Sequence, residues 1–149
     1  MLKLITIISV TTVVFTTSAF AKCEVGGKTI FACTTVNGKY IEVCDLGKSI
    51  TYTFGRVGKK PEISLNVLRN KVTNIPWSGM GRGMVSTVQI PNANTVYEVF
   101  FNVNKQLKEN EESRSNMGVE VYVNNKYIST INCKANSKSY FLEDLNLPN

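Results

Sequence analysis

The residue types that most often do catalytic work are scarce in this chain of 149 residues. It has no histidine, so the commonest general base is missing, and Ser-His-Asp and Cys-His constellations are excluded. Its four cysteines, Cys23, Cys33, Cys44 and Cys133, show no Cys-x-x-Cys spacing, which with the lack of histidine argues against a zinc site. A two-carboxylate glycosidase needs two acids on facing walls of a cleft. The candidates are Glu42, Asp45, Glu62, Glu98 and Glu120, and each falls on a strand or strand end, where an acid is ordinarily a solvated outward residue. Glu109, Glu111 and Glu112 invite a calcium reading, but Lys105, Lys108 and Arg114 alternate with them, which describes a solvated loop. No Walker loop or acidic metal cluster is present. The expectation is a protein that is not an enzyme, with no metal and no cofactor.

The front of the chain reads as an address. Residues 1–21 carry Lys3 as a positive n-region, an apolar run from Leu4 to Phe15 broken only by Ser and Thr, and Ala19-Phe20-Ala21 as a small-x-small cleavage pattern. A transmembrane anchor is the competing reading. The segment is at the lower length limit for a span and ends in a cleavage motif, which favours a secretory signal peptide. Lys22 directly before Cys23 argues against lipidation there. Residues 22–149 are then a single mature domain, long enough to bury a core. Removing the signal costs one positive charge, Lys3, from a formal net charge of +6.

An exported chain with four cysteines is most simply read as carrying two disulfides. Three pairings are possible. The favoured one joins Cys33 to Cys44 on the first hairpin and Cys23 to Cys133 across the chain. A two-residue turn at Asn37-Gly38 would set Cys33 opposite Glu42 and leave Cys44 diagonal and too distant. The favoured pairing therefore requires a four-residue turn or a bulge.

The elements that must position these groups are strands. Period-2 alternation and turn signals predict strands over 28–35, 39–45, 49–54, 62–68, 84–90, 95–103, 118–123 and 126–133. Asn37-Gly38, Leu46-Gly47-Lys48, the 91–94 turn and Asn124-Asn125 separate them. Residues 69–83 read as irregular and 104–116 as a polar loop. The 95–103 strand, the most apolar, is expected to be central and buried on both faces. A short helical turn is expected at 141–145. The fold class is all-β, an antiparallel β-sandwich or barrel of about eight short strands with that helical turn at the C-terminal end. Aromatics such as Tyr52, Phe54, Tyr97 and Phe100 are expected to pack the core.

Two loops stand out as binding surfaces. One is basic and glycine-rich and holds Arg56, Lys59 and Lys60. The other runs from Ile75 to Met84 and holds Trp77, Met80 and Arg82 among three glycines. Trp and Arg dominate interface hot spots, and Met suits adaptable surfaces. The bland alternative is that Trp77 packs into the core at a strand end. Between Leu46 and Tyr97 there are seven basic residues and one acid, Glu62. A basic face attracts an acidic protein surface, an anionic glycan or lipid headgroups. Export disfavours nucleic acid as a partner.

Phe31-x-Cys33-x-Thr35, then Gly38-Lys39, Cys44, Tyr52-x-Phe54-Gly55 and Pro61-Glu62, resemble a family of small exported proteins of Gram-negative bacteria. The similarity continues through Ser78 to Gly83, Tyr97 to Phe101, and Gly118-Val119-Glu120-Val121 to Cys133. This chain departs in a longer polar insertion at 105–116 and in fewer glycines near Trp77. The family is largely uncharacterised, so the resemblance implies a periplasmic, disulfide-bonded, β-rich protein and nothing about activity. By analogy of size and composition with periplasmic lysozyme inhibitors and effector immunity proteins, the expected function is inhibition of a cell-envelope-attacking enzyme. The alternative is an envelope glycan- or lipid-binding module.

Overall fold

The structure, a computed structural model, describes residues 23, 26–75, 83–108, 114–135, 142, 145 and 147. Two antiparallel meanders make up the fold. The first comprises β1 (Lys28–Thr34), β2 (Lys39–Asp45), β3 (Ser49–Arg56) and β4 (Ile63–Leu68). A 3-10 turn at Arg69–Lys71 leads into β5 (Thr73–Ile75), β6 (Gly83–Asn92), β7 (Thr95–Asn104), β8 (Ser115–Val123) and β9 (Lys126–Asn132). In both sheets the spatial order follows the chain order, four strands in one and five in the other, and neither closes into a barrel. The fold is all-β, as the alternation predicts, and of the two architectures it is the sandwich. Residues 69–83, expected to be irregular, contribute β5, which at three residues is too short to show a period of two.

Each sheet turns its apolar face to the other. Phe31, Cys33, Ile41, Val43, Ile50, Tyr52 and Phe54 from the first sheet meet Val88, Ile90, Tyr97, Val99, Met117 and Val119 from the second. At the centre the Tyr52 and Tyr97 rings stack at 4.9 Å and 20°, a geometry worth about 0.5–1.5 kcal/mol beyond area burial. The Tyr52 hydroxyl is buried without a hydrogen-bond partner among the described residues. Burial is the first cause that raises its pKa, and the neighbouring Tyr97 adds to it.

The central place of β7 agrees with its apolar sequence, but its burial on both faces does not hold. Tyr97 and Val99 enter the core, while Val96 and Glu98 on the other face are half-buried. Phe100 is the exception, 6% exposed on the outer face. It lies opposite Gly118. A Cβ at Gly118 would stand 3.1 Å from the Phe100 ring and 2.3 Å from the Ile131 carbonyl oxygen, so only glycine lets that ring lie down on the sheet.

One correction concerns the disulfides. Cys23 is bonded to Cys44 and Cys33 to Cys133, not Cys33 to Cys44 and Cys23 to Cys133. The reason is the register of the first hairpin. Its turn has three residues, Val36 to Gly38, with Gly38 at φ +72°. The turn is closed by Thr35 N–H donating to the Lys39 carbonyl at 2.7 Å. Such loops commonly end on a residue in the left-handed region. One residue more than the two-residue turn sets Cys33 opposite Ile41 and Ala32 opposite Glu42. Cys33 therefore points into the core. Cys44, opposite Thr29, points outward, and a cross-link between opposite faces is not possible.

Cys33–Cys133 also joins the two sheets. Beside it, Thr35 pairs with Cys133, Val36 N–H donates to Asn132 O at 3.1 Å, and Lys134 N–H donates to Thr34 O at 2.8 Å. Across from this seam, Leu142, Leu145 and Leu147 are buried in the core, and Asn74 Nδ2 donates to the Leu145 carbonyl at 3.1 Å. Most of the expected helical turn at 141–145 lies outside the described residues. Two disulfides fit an extracellular or periplasmic protein. Among the described residues no helix is long and apolar enough to cross a membrane.

The sequence separations across the disulfides are 100 and 21 residues. Chain-entropy reasoning gives about 5 kcal/mol for the longer loop and about 3 kcal/mol for the shorter. Replacing Cys33 and Cys133 by Ala is expected to lower unfolding free energy in urea more than replacing Cys23 and Cys44. Non-reducing digestion should recover peptides linked 23–44 and 33–133.

Candidate functional site

The β3–β4 loop is the better defined of the two predicted surfaces. Its path depends on Gly55, where a Cβ would meet the Glu62 amide nitrogen and the Pro61 Cα, each at 3.0 Å. The loop can therefore fold back on its own strand. Glu62 N–H donates to the Phe54 carbonyl at 2.9 Å and Lys59 N–H to the Arg56 carbonyl at 3.1 Å, while Gly58 takes φ +73°. At the base, Lys39 Nζ bonds Glu62 Oε2 at 2.6 Å and sits 4.8 Å from the centre of the Phe54 ring. The pair is partly exposed, so it fixes geometry more than it adds stability.

This arrangement leaves Arg56, Lys59 and Lys60 exposed, and none of the three forms a salt bridge among the described residues. Between the loop and the outer face of the sheet lies a recess of about 200 Å³, with Tyr40, Thr53 and Gly55 below and Arg56, Lys59 and Pro61 at the sides. Two cations around an open recess suit a carboxylate or another anion, and the Arg56 guanidinium is the group able to hold one through two parallel bonds. Trp77, Met80 and Arg82, the predicted residues of the second loop, lie outside the described residues.

The carboxylates are distributed rather than gathered in a cleft. Asp45 accepts from Arg69 and from the Gly47 amide. Burial alone would raise its pKa, but those bonds and the charges of Arg69 and Lys28 hold it below the usual value. Glu98 and Glu120 face each other on adjacent strands of the open outer face of the second sheet. Gln89 Nε2 donates to Glu98 at 2.7 Å and the Tyr122 hydroxyl to Glu120 at 2.6 Å. The bond to Glu120 leads the causes that push the Tyr122 pKa up to about 12. Tyr127 packs edge-on against Tyr122, with ring centres 5.9 Å apart.

Glu42, one of the candidate acids, has a setting that sequence reasoning did not anticipate. Alternation puts it on the outer face, where solvent is expected, yet it is 5% exposed. Its strand neighbours on either side are the small residues Ala32 and Thr53. The Cys23–Cys44 bridge brings the Cys23 sulfur alongside it. Burial pushes its carboxyl above the ordinary range, partly offset by the Tyr40 hydroxyl, which donates to Oε1 at 3.2 Å. Nothing local in the sequence signals this, since Cys23, whose sulfur lies beside Glu42, precedes β1 in the chain.

Comparison with protein-family models, curated proteins and solved structures gives no match.

A carboxyl with a raised folded pKa binds its proton more tightly in the native than in the unfolded state. Its contribution to stability therefore falls as pH rises from the unfolded value, about 4.3, through the folded one. Wild type should lose stability relative to Glu42→Gln over that window. The two should converge below it, as measured by urea unfolding at a series of pH values.

Proposed function

We propose that this is an exported, non-enzymatic binding protein of the periplasm. In this reading it is an inhibitor or immunity protein that neutralises an enzyme attacking the cell envelope, and the β3–β4 loop forms part of the contact. The observation that carries the reading is the set of exposed cations, Arg56, Lys59 and Lys60, on a loop whose base is fixed by Gly55 and by the Lys39–Glu62 pair. Enzymes that cleave the glycan of the cell wall work with a pair of carboxylates in a cleft. An exposed cationic loop is complementary to such a cleft in charge, and a fixed base lowers the ordering cost of binding. The signal-like residues 1–21 and the two disulfides support export.

The alternative is a glycan- or lipid-binding module. It rests on the outer face of the second sheet, where Tyr122, Tyr127, Gln89 and the Glu98–Glu120 pair present aromatic and hydrogen-bonding groups side by side.

The test is clearance of a peptidoglycan suspension by a panel of lytic glycosidases in the presence of the mature chain. Inhibition of at least one enzyme is expected, weakening with added salt. Arg56→Glu with Lys59→Glu should cut that inhibition about 10-fold or more and leave unfolding free energy within about 0.5 kcal/mol, as for other exposed positions. Equal inhibition by the reversed-charge variant would remove the loop from the contact. Binding to peptidoglycan itself without inhibition of any enzyme would favour the module.

A further inference from the structure

The buried acid on the first sheet has a neighbour that gives it chemistry. A Glu42 carboxylate oxygen, Cys23 Sγ and Cys44 Sγ lie within 4.8 Å of one another. The two sulfurs are bonded to each other, so they are spent as metal ligands. A carboxyl beside a disulfide is instead placed to manage the proton that accompanies making or breaking it. The two sulfurs also differ in access. Cys44 is 4% exposed, whereas Cys23 is half-buried, and the Cys23 sulfur lies 3.0 Å from the Thr29 hydroxyl. The other disulfide shares the difference in access, with Cys33 3% exposed and Cys133 half-buried, but among the described residues it has no carboxylate within reach of both sulfurs. Among the described residues no second group of three such ligand atoms occurs.

We propose that Cys23–Cys44 is a thiol–disulfide exchange site, with Glu42 as its proton donor and acceptor and a small thiol as its co-reactant. The thiolate attacks the accessible Cys23 sulfur and forms a new S–S bond there. The Cys23–Cys44 bond breaks, and its electron pair goes to Cys44 Sγ. Glu42 passes its proton to that sulfur, leaving Cys44 as a thiol and Glu42 as a carboxylate that keeps the Tyr40 hydrogen bond. A second small thiol, as its thiolate, attacks the outer sulfur of this mixed disulfide; the two small thiols leave as their own disulfide, and Cys23 takes up the proton the second thiol gave to solvent and becomes a free thiol. In the reverse direction the Glu42 carboxylate takes the proton from Cys44 as it attacks. Opening frees the start of the domain from β2, while Cys33–Cys133 keeps the two sheets joined.

The protonated form of Glu42 speeds the leaving step, and the ionised form repels both the incoming and the departing thiolate. The groups facing Glu42 are Tyr40 along its own strand, Ala32 on β1 and Thr53 on β3. Among the described residues Tyr40 is therefore the titratable group in contact with it, besides the disulfide sulfurs.

The experiment treats the mature, doubly disulfide-bonded chain with excess reduced glutathione across a pH series. Samples are quenched by alkylation, and each disulfide is followed by peptide mass. Rates are divided by the glutathione thiolate concentration. Cys23–Cys44 is expected to open about 10-fold or more faster than Cys33–Cys133, with a rate per thiolate that steps down as pH rises through the titration of Glu42. Glu42→Gln should lower the acid-side rate about 10-fold or more, since general acid catalysis commonly contributes at least that much, and should flatten the profile. Tyr40→Phe removes a donor to the carboxylate and should move the step to higher pH. A flat wild-type profile, a Glu42→Gln profile that overlays it, or earlier opening of Cys33–Cys133 would each overturn the proposal. Should Glu42→Gln fail to fold, the wild-type and Tyr40→Phe profiles decide the question between them.

Discussion

Everything in this molecule depends on two separate meanders being held face to face. Each sheet has only nearest-neighbour pairing along the chain, so nothing inside either sheet says how the other should sit. The seam between β1 and β9 supplies that. There a backbone bridge, two flanking hydrogen bonds and the Cys33–Cys133 bond converge within a few residues. With the seam fixed, the apolar faces close on each other and Tyr52 reaches Tyr97. Apolar burial provides most of the driving force, because it acts over every inward residue, but it has no direction of its own. The seam provides the direction.

The outer faces then divide the functional possibilities. The outer side of the first sheet carries the cationic loop and recess at one position and the buried Glu42 at another, both on β2 and its neighbours. The outer side of the second sheet carries paired acids and tyrosines. The first face holds the exposed positive charge of the described loop, and the second holds two carboxylates that accept from Gln89 and Tyr122.

Most of the strands were legible in the sequence because their alternation is strong. Ser49 to Phe54 and Lys39 to Asp45 each carry period-2 patterns, and Asn124-Asn125, both at positive φ, makes the last hairpin as read. The cysteine pairing was not legible. It turned on one residue in the Val36–Gly38 turn, and a shift of one residue exchanges the faces of a whole strand. Position on an outer face told nothing about the burial of Glu42, and the Cys23 sulfur beside it is remote in sequence and brought near by a covalent bond. The cationic loop was visible in composition. That it would be shaped into a recess depended on the close approach of Gly55 to Pro61 and Glu62, which no local pattern encodes.

The two bridges are interlaced: the first cysteine pairs with the third and the second with the fourth. In a chain emerging from its amino end, Cys23, Cys33 and Cys44 appear long before Cys133. Sequential oxidation would join Cys23 to Cys33, which is not a native bond. Cys33 must therefore stay reduced, or be released by reshuffling, until the last strand has been delivered. Native oxidation thus acts as a completeness check. A chain cut short between Cys44 and Cys133 holds three cysteines and so retains an unmatched sulfhydryl, a chemical mark that distinguishes it from the finished protein.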